Sequence, residues 1–220
     1  MSRYYTHYPR TILWLVRGGA LSVPAPESPD GVRLLEVPSF YIGKFPITNE
    51  QFEAALPGFV RSQVSAADRD PATGVDFDRA LAFCGWYSEV SRKPMRLPSA
   101  LEWEYACRAG AATRYYRGNE PEAAAEAQWD AENSGGVMQP LDEKRSNDFG
   151  LYGMLGGVWE WTSTRADAAG GSESSEDRRR LLMGGSILTA RAKIDCSLRR
   201  PEAPEADNQD FGFRIVRNFR

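Results

Sequence analysis

Thiols, imidazoles and carboxylates are the side chains that could carry covalent or metal chemistry in this chain, and they are sparse or scattered. The three cysteines, Cys84, Cys107 and Cys196, are isolated and odd in number. That usage fits reduced, buried thiols better than a disulfide framework. His7 is the single imidazole and lies near the start of the chain, so a Ser/His/Asp triad has no residues to use. Glu102 and Glu104 are two apart on a helical stretch and face different ways, with Glu102 committed to a cap. Glu160 is different. It stands between Trp159 and Trp161 in the stretch Phe149 to Ser163, which reads Phe-Gly-Leu-Tyr-Gly-Met-Leu-Gly-Gly-Val-Trp-Glu-Trp-Thr-Ser. Val158 to Thr162 alternates as a strand, with Trp159 and Trp161 on one face and Val158, Glu160 and Thr162 on the other. Two tryptophans burying roughly 200 Å² each demand a substantial core. Gly156 and Gly157 before them suit a positive-φ turn or a bulge. Glu160 thus faces either solvent or a site.

The elements that must position these residues are short. Thr11 to Val16 reads as a strand ended by Gly18-Gly19, and Arg33 to Val37 and Phe40 to Phe45 read as two more. Thr48 with Gln51 forms a capping box that opens a helix over Asn49 to Leu56. Asp76 caps Phe77 to Glu89, with Phe77, Leu81, Cys84 and either Tyr87 or Ser88 at helical spacing. Ser99 with Glu102 opens Leu101 to Arg108. Ala111 to Asn147 is rich in turn residues, and a stretch of that length is functional or pinned by ions or aromatics. Ala166 to Asp177 is Ala, Gly, Ser and acid and reads as a disordered excursion. Leu181 to Met183 is a strand, Pro201 to Asp210 an acidic loop, and Phe211 to Arg217 a final alternating strand. Short helices among many short strands predict an α+β domain over residues 11–220. Residues 1–10, with Tyr4, Tyr5 and Tyr8, form either a docking arm or a frayed terminus.

Composition narrows the function classes. The 220 residues carry a net charge of −3, with 42% hydrophobic and 26% charged residues, an ordinary balance for a globular protein. Basic and acidic residues balance throughout, which gives no footprint for nucleic acid. No stretch reaches the roughly 20 apolar residues of a membrane span, and without a signal-like segment the expected location is cytoplasmic. Gly184-Gly185-Ser186 is too short for a phosphate-binding loop.

Five blocks in order carry a family resemblance: Phe40-Tyr-Ile-Gly-Lys-Phe-Pro-Ile-Thr-Asn-Glu-Gln-Phe, Arg96-Leu-Pro-Ser-Ala-Leu-Glu-Trp-Glu-Tyr-Ala, the stretch from Phe149 to Trp161, Gly184-Gly-Ser, and Gly212-Phe-Arg. The chain resembles formylglycine-generating enzymes and the wider sulfatase-modifying-factor family. The resemblance implies an elaborated C-type-lectin-like domain with little regular structure. In the activating oxidases of the family, two cysteines after Gly-Gly-Ser bind copper, since soft sulfur selects Cu(I). Here those positions fall on Thr189 and Ile194, and neither supplies a thiolate. The family's sulfoxide synthases use three histidines that this chain lacks. The resemblance also implies structural calcium held by hard oxygens. One site uses Glu160 with a side chain where Gly153 stands, and Gly157 replaces a further usual Asn. The other maps near Gln128 to Asn133, so Gln128, Asn133 and Glu160 are the candidate ligands of weak calcium.

These features predict a catalytically silent relative that binds a protein or ligand, as a subunit of a larger assembly. Its contact surface is expected on Thr189, Arg191, Lys193 and Asp195, alternating outward after Gly-Gly-Ser. The alternative is a metal-dependent oxidase of the formylglycine-generating or sulfoxide-synthase type with an altered centre.

Overall fold

The computed structural model describes residues 10–28, 30–166 and 178–219. The Tyr-rich arm of residues 1–9, His7 with it, and residues 167–177 of the expected excursion lie outside the described residues.

Helices begin where the local chemistry says they should. Helix α1 (Asn49–Ala55) opens on a complete capping box between Thr48 and Gln51, and α3 (Ala100–Arg108) on one between Ser99 and Glu102. Each box satisfies two backbone N–H groups that a helix start leaves bare. Helix α2 (Phe77–Ser91) is capped by the Asp76 carboxylate accepting from the Arg79 amide. Its buried face is Phe77, Ala80, Phe83, Cys84 and Tyr87, whereas Leu81, expected inside, is 42% exposed. Phe83 takes its place, stacked on Phe52 and Tyr87 and edge-on to Phe213. Helix α4 (Pro121–Ala127) is an addition to the expected set.

Strands β1 (Leu13–Val16), β4 (Phe40–Gly43) and β9 (Val216–Asn218) form an antiparallel sheet in the order β1-β4-β9. A two-stranded ribbon pairs β2 (Gly19–Pro24) with β3 (Val32–Val37). The third sheet has the order β7-β6-β5-β8, from β5 (Trp159–Arg165), β6 (Arg180–Met183), β7 (Arg199–Glu202) and β8 (Phe211–Gly212). The single C-terminal strand expected over Phe211 to Arg217 is therefore two strands. Phe211 and Gly212 run parallel to Trp159 and Glu160, and Val216 pairs with Ile42 of the first sheet. Residues Phe213, Arg214 and Ile215 bridge the sheets, and all three are fully buried.

The core has two large clusters and a small third one of Met138, Val158 and Ile187. One large cluster gathers Trp103, Leu151, Met154 and the Cys107/Cys196 pair, and the other gathers Phe52, Phe83, Trp161, Phe211 and Phe213. Strand β5 runs between them, so both of its faces are covered and Trp159 to Thr162 are all buried. The alternation seen in its sequence separates two interiors, not an interior from solvent.

Candidate functional site

Glu160 is fully buried. Its Oε2 accepts from Trp103 Nε1 at 2.7 Å and Arg214 Nε at 2.6 Å, and its Oε1 accepts from Arg214 Nη2 at 2.6 Å. Both side chains are 0% exposed. Arg214 also donates to the carbonyls of Gly43, Tyr152 and Gly153, each at 3.1 Å. A guanidinium thus gathers the carboxylate and the loop carbonyls that a hard cation would otherwise collect. The expected glycines complete this picture. Gly153 and Gly157 have φ of +61° and +66°, the left-handed region that glycine adopts freely. A β-carbon on Gly153 would stand 3.0 Å from Leu141 Cδ1, and one on Gly157 3.2 Å from Leu141 Cδ2. Leucine methyls fill the space into which ligand side chains would project. Glu160 does not fit the expected calcium site.

Gln128 and Asn133 organise a turn around buried Asp130. Asp130 N–H donates to Asn133 Oδ1 at 2.8 Å, Asn133 Nδ2 to the Gln128 carbonyl at 3.1 Å, and Gln128 Nε2 to Asp130 Oδ2 at 3.0 Å. Arg191 closes on the same carboxylate, Nε to Oδ2 at 2.7 Å and Nη2 to Oδ1 at 3.0 Å. Burial pushes the Asp130 carboxyl up, but Arg191, then Gln128 and the Glu132 amide, outweigh it and hold it below its ordinary range. With the Asp130 carboxylate taken by a bidentate arginine, the turn keeps one buried oxygen without a hydrogen-bond partner among the described residues, Gln128 Oε1, and one neutral amide oxygen falls short of the roughly six to eight ligands that calcium gathers.

The segment after Gly184-Gly185-Ser186 is not the outward-alternating strand expected. Arg191–Lys193 is a single 3₁₀ turn, so the four candidate residues point to different places. Arg191 turns inward to Asp130, as described. Asp195 caps its own bend, accepting from Ser197 N at 2.8 Å and Ser197 Oγ at 2.7 Å. Ile194, where the second copper cysteine would fall, is fully buried against Gly185. Thr189 and Lys193 line a cavity of about 730 Å³, together with Trp159, Arg200, Gln209 and Asp210.

Proton counting fixes the polarity of that wall. Ser186 Oγ donates to Asp210 Oδ2 at 2.6 Å, which uses its only hydrogen against an acceptor-only carboxylate. The 3.2 Å contact between Ser186 Oγ and Thr189 Oγ1 must then be donated by Thr189. Thr189 Oγ1 meanwhile accepts from Ser186 N at 3.0 Å. The threonine hydroxyl is spent, and it offers the cavity a lone pair but no proton. Donors come from Lys193, which has no ion-pair partner among the described residues, and from Arg200, which is held by Glu202 at 2.7 Å and lies over the Phe211 ring.

The cysteines correct the thiol reading. Cys107 and Cys196, 89 residues apart and both fully buried, form a disulfide with Cα atoms 5.7 Å apart. It ties α3 to the end of the post-Gly-Gly-Ser segment. Cys84 is the free cysteine, and burial pushes its thiol up to about 12. None of the three lines the cavity. Arg214, Asp130, Arg200 and Asp210 were missed as site residues. Only Arg214 carried a signal, as the arginine of Gly212-Phe-Arg.

The model of the family described as "Sulfatase-modifying factor enzyme 1-like domain" matches residues 5–219. Formylglycine-generating enzyme of Mus musculus is 27% identical over 179 residues, 70% of this chain and 46% of that protein. Inactive C-alpha-formylglycine-generating enzyme 2 of Bos taurus is 28% identical over 161 residues, 66% of this chain and 50% of that protein. The chain spans about half the length of these curated relatives. Among solved structures, Treponema denticola variable protein 1 superposes with a TM-score of 0.79 at 17% identity, covering 93% of this chain and 94% of that one. PvdO from Pseudomonas aeruginosa superposes with a TM-score of 0.78 at 20% identity, covering 94% of both chains.

Proposed function

The chain belongs to the sulfatase-modifying-factor family, and from that premise we propose that it is a non-catalytic binding member which holds a protein segment or ligand in the cavity beside Gly184-Gly185-Ser186. Membership alone does not choose between activity and silence, since relatives named as the generating enzyme and as its inactive counterpart match about equally. The observation that carries the proposal is the lining of the cavity. Trp159 supplies an aromatic wall, Lys193 and Arg200 supply cationic donors, and Thr189 and Asp210 supply acceptors.

Among the described residues no thiol or imidazole lines that cavity. The site has recognition chemistry: a cation free to pair with an anion, an aromatic surface, and a pre-set hydrogen-bond wall. Its occupant is expected to bring a carboxylate, as an acidic side chain would. A role as a subunit of a larger assembly follows if that acid belongs to a partner protein. The Cys107–Cys196 disulfide supports an oxidising compartment in place of the cytosolic default.

The test is binding of labelled acidic peptides by fluorescence anisotropy, comparing the wild type with Lys193→Glu. Binding that Lys193→Glu abolishes, with unchanged melting temperature, is the expected result. Acidic and neutral peptides binding equally, or not at all, would overturn the reading.

A further inference from the structure

A second cavity, of about 530 Å³, shares a lining residue with the first. Gln209 lines both, Asp207 lines the second, and Asp210 lines the first. The chemistry of the two differs. The second is floored by Phe52, fully buried and edge-on to Phe59 at 4.7 Å between ring centroids. Val60, 84% exposed, stands at its rim.

Thr73 also lines this cavity. It is 1% exposed, and its hydroxyl has no hydrogen-bond partner among the described residues. A buried hydroxyl left unpaired costs roughly 1–3 kcal/mol, so an unspent donor and acceptor at a cavity wall points to a group supplied from outside. The charged residues facing the cavity are Arg79 and Asp207. Arg79 is half-exposed, and its ion-pair partner among the described residues is Asp76, its own helix cap, at 3.4 Å.

We propose that this cavity is a second subsite of the same binding surface, taking an aromatic or branched aliphatic side chain from an extended peptide whose acidic residue occupies the Lys193/Arg200 cavity. The inference rests on the binding reading above and adds its apolar specificity. The peptide crosses the loop of residues 207–210, and Thr73 takes up a main-chain group beside the apolar side chain. Three features select a peptide: two cavities of different chemistry that share Gln209, an apolar floor rimmed by polar groups, and a hydroxyl matched to an amide.

The experiment uses the whole chain and fluorescein-labelled peptides of about eight residues, with Phe and Asp placed at every spacing. Control peptides replace either residue, or both, with Ala. Binding is read by anisotropy to wild type, Lys193→Glu, Val60→Asp and Thr73→Val. Val60 is exposed, and Thr73→Val keeps the shape while removing the orphan hydroxyl, so both variants should fold. The expected result is that one Phe–Asp spacing binds at least tenfold tighter than the Asp-only control. Val60→Asp should erase that gain while leaving the Asp-only affinity unchanged, and Thr73→Val should weaken the two-residue peptide by roughly five- to tenfold, the worth of one hydrogen bond. If Phe adds nothing at any spacing, or Val60→Asp has no effect, the second subsite is wrong while the acidic site stands. If no Asp peptide binds, both fall.

Discussion

Replacing Glu160 by Gln tests the buried ion pair with Arg214. The substitution keeps volume and shape but removes one negative charge from a pair that is 0% exposed on both sides. Three N–H groups converge on the carboxylate, two on Oε2 and one on Oε1. A glutamine offers one oxygen, so its NH₂ must oppose either Arg214 Nη2 or the Trp103/Arg214 Nε pair, donor against donor. Arg214 is then a buried cation without its counter-ion, a situation that costs about 3–5 kcal/mol. For a domain of this size that corresponds to a fall in melting temperature of roughly 6–20 °C. Urea unfolding of the variant should show the midpoint falling at unchanged slope. Arg214→Met alone should cost a similar amount, because the carboxylate is stranded in turn. The double variant should recover part of the sum, and the cycle gives the coupling directly. A loss below about 1 kcal/mol for Glu160→Gln, with strict additivity in the cycle, would refute the reasoning about a mutually dependent buried pair.

Further expectations are quicker to check. Thiol titration under non-reducing conditions should find no reactive cysteine in the native protein, Cys84 alone after unfolding, and all three after reduction; three thiols without reductant would exclude the Cys107–Cys196 disulfide. Its reduction should lower stability by on the order of 4–5 kcal/mol for so long a loop, seen as an earlier urea midpoint. Asp130 and Glu102 are both held below their ordinary values: burial raises each, and Arg191 for Asp130 or Arg96 for Glu102, with backbone amides, outweighs it. Depressed carboxyls contribute stability that is present above their unfolded values near 4 and lost as pH falls through the folded ones. Melting temperature should therefore drop below about pH 4, and Asp130→Asn should flatten part of that drop. Addition of calcium or a chelator should leave the melting temperature unchanged, because Leu141 and Arg214 occupy the space and oxygens a calcium would use; a shift of several degrees would contradict that.

What could be read from the sequence follows the range of the interactions involved. The capping boxes at Thr48/Gln51 and Ser99/Glu102 were legible because a cap is decided within four residues. The ordered family blocks made the fold legible as a whole. Alternation over Phe211 to Arg217 could not reveal the change of sheet, since a buried strand alternates alike in either one. Pro201 spoke against a strand, yet β7 is an edge strand, where proline is tolerated. Alanine-rich α4 has no apolar periodicity to detect. The site was the least legible part. Arg191 looked like a surface residue because its partner Asp130 lies 61 residues away, and Cys196 looked solitary because Cys107 lies 89 away. The ambiguity at Glu160 was resolved by Arg214, 54 residues on and in another motif. Such pairings are set by tertiary packing alone.

The most direct test of a binding role is elemental analysis of the protein purified from its native source, with copper and iron measured per chain. With Thr189 and Ile194 at the copper positions and Cys196 tied to Cys107, neither metal is expected above a small fraction of stoichiometry. One copper or iron per chain, retained through gel filtration and lost in Asp210→Ala, would contradict a non-catalytic site and restore the oxidase reading.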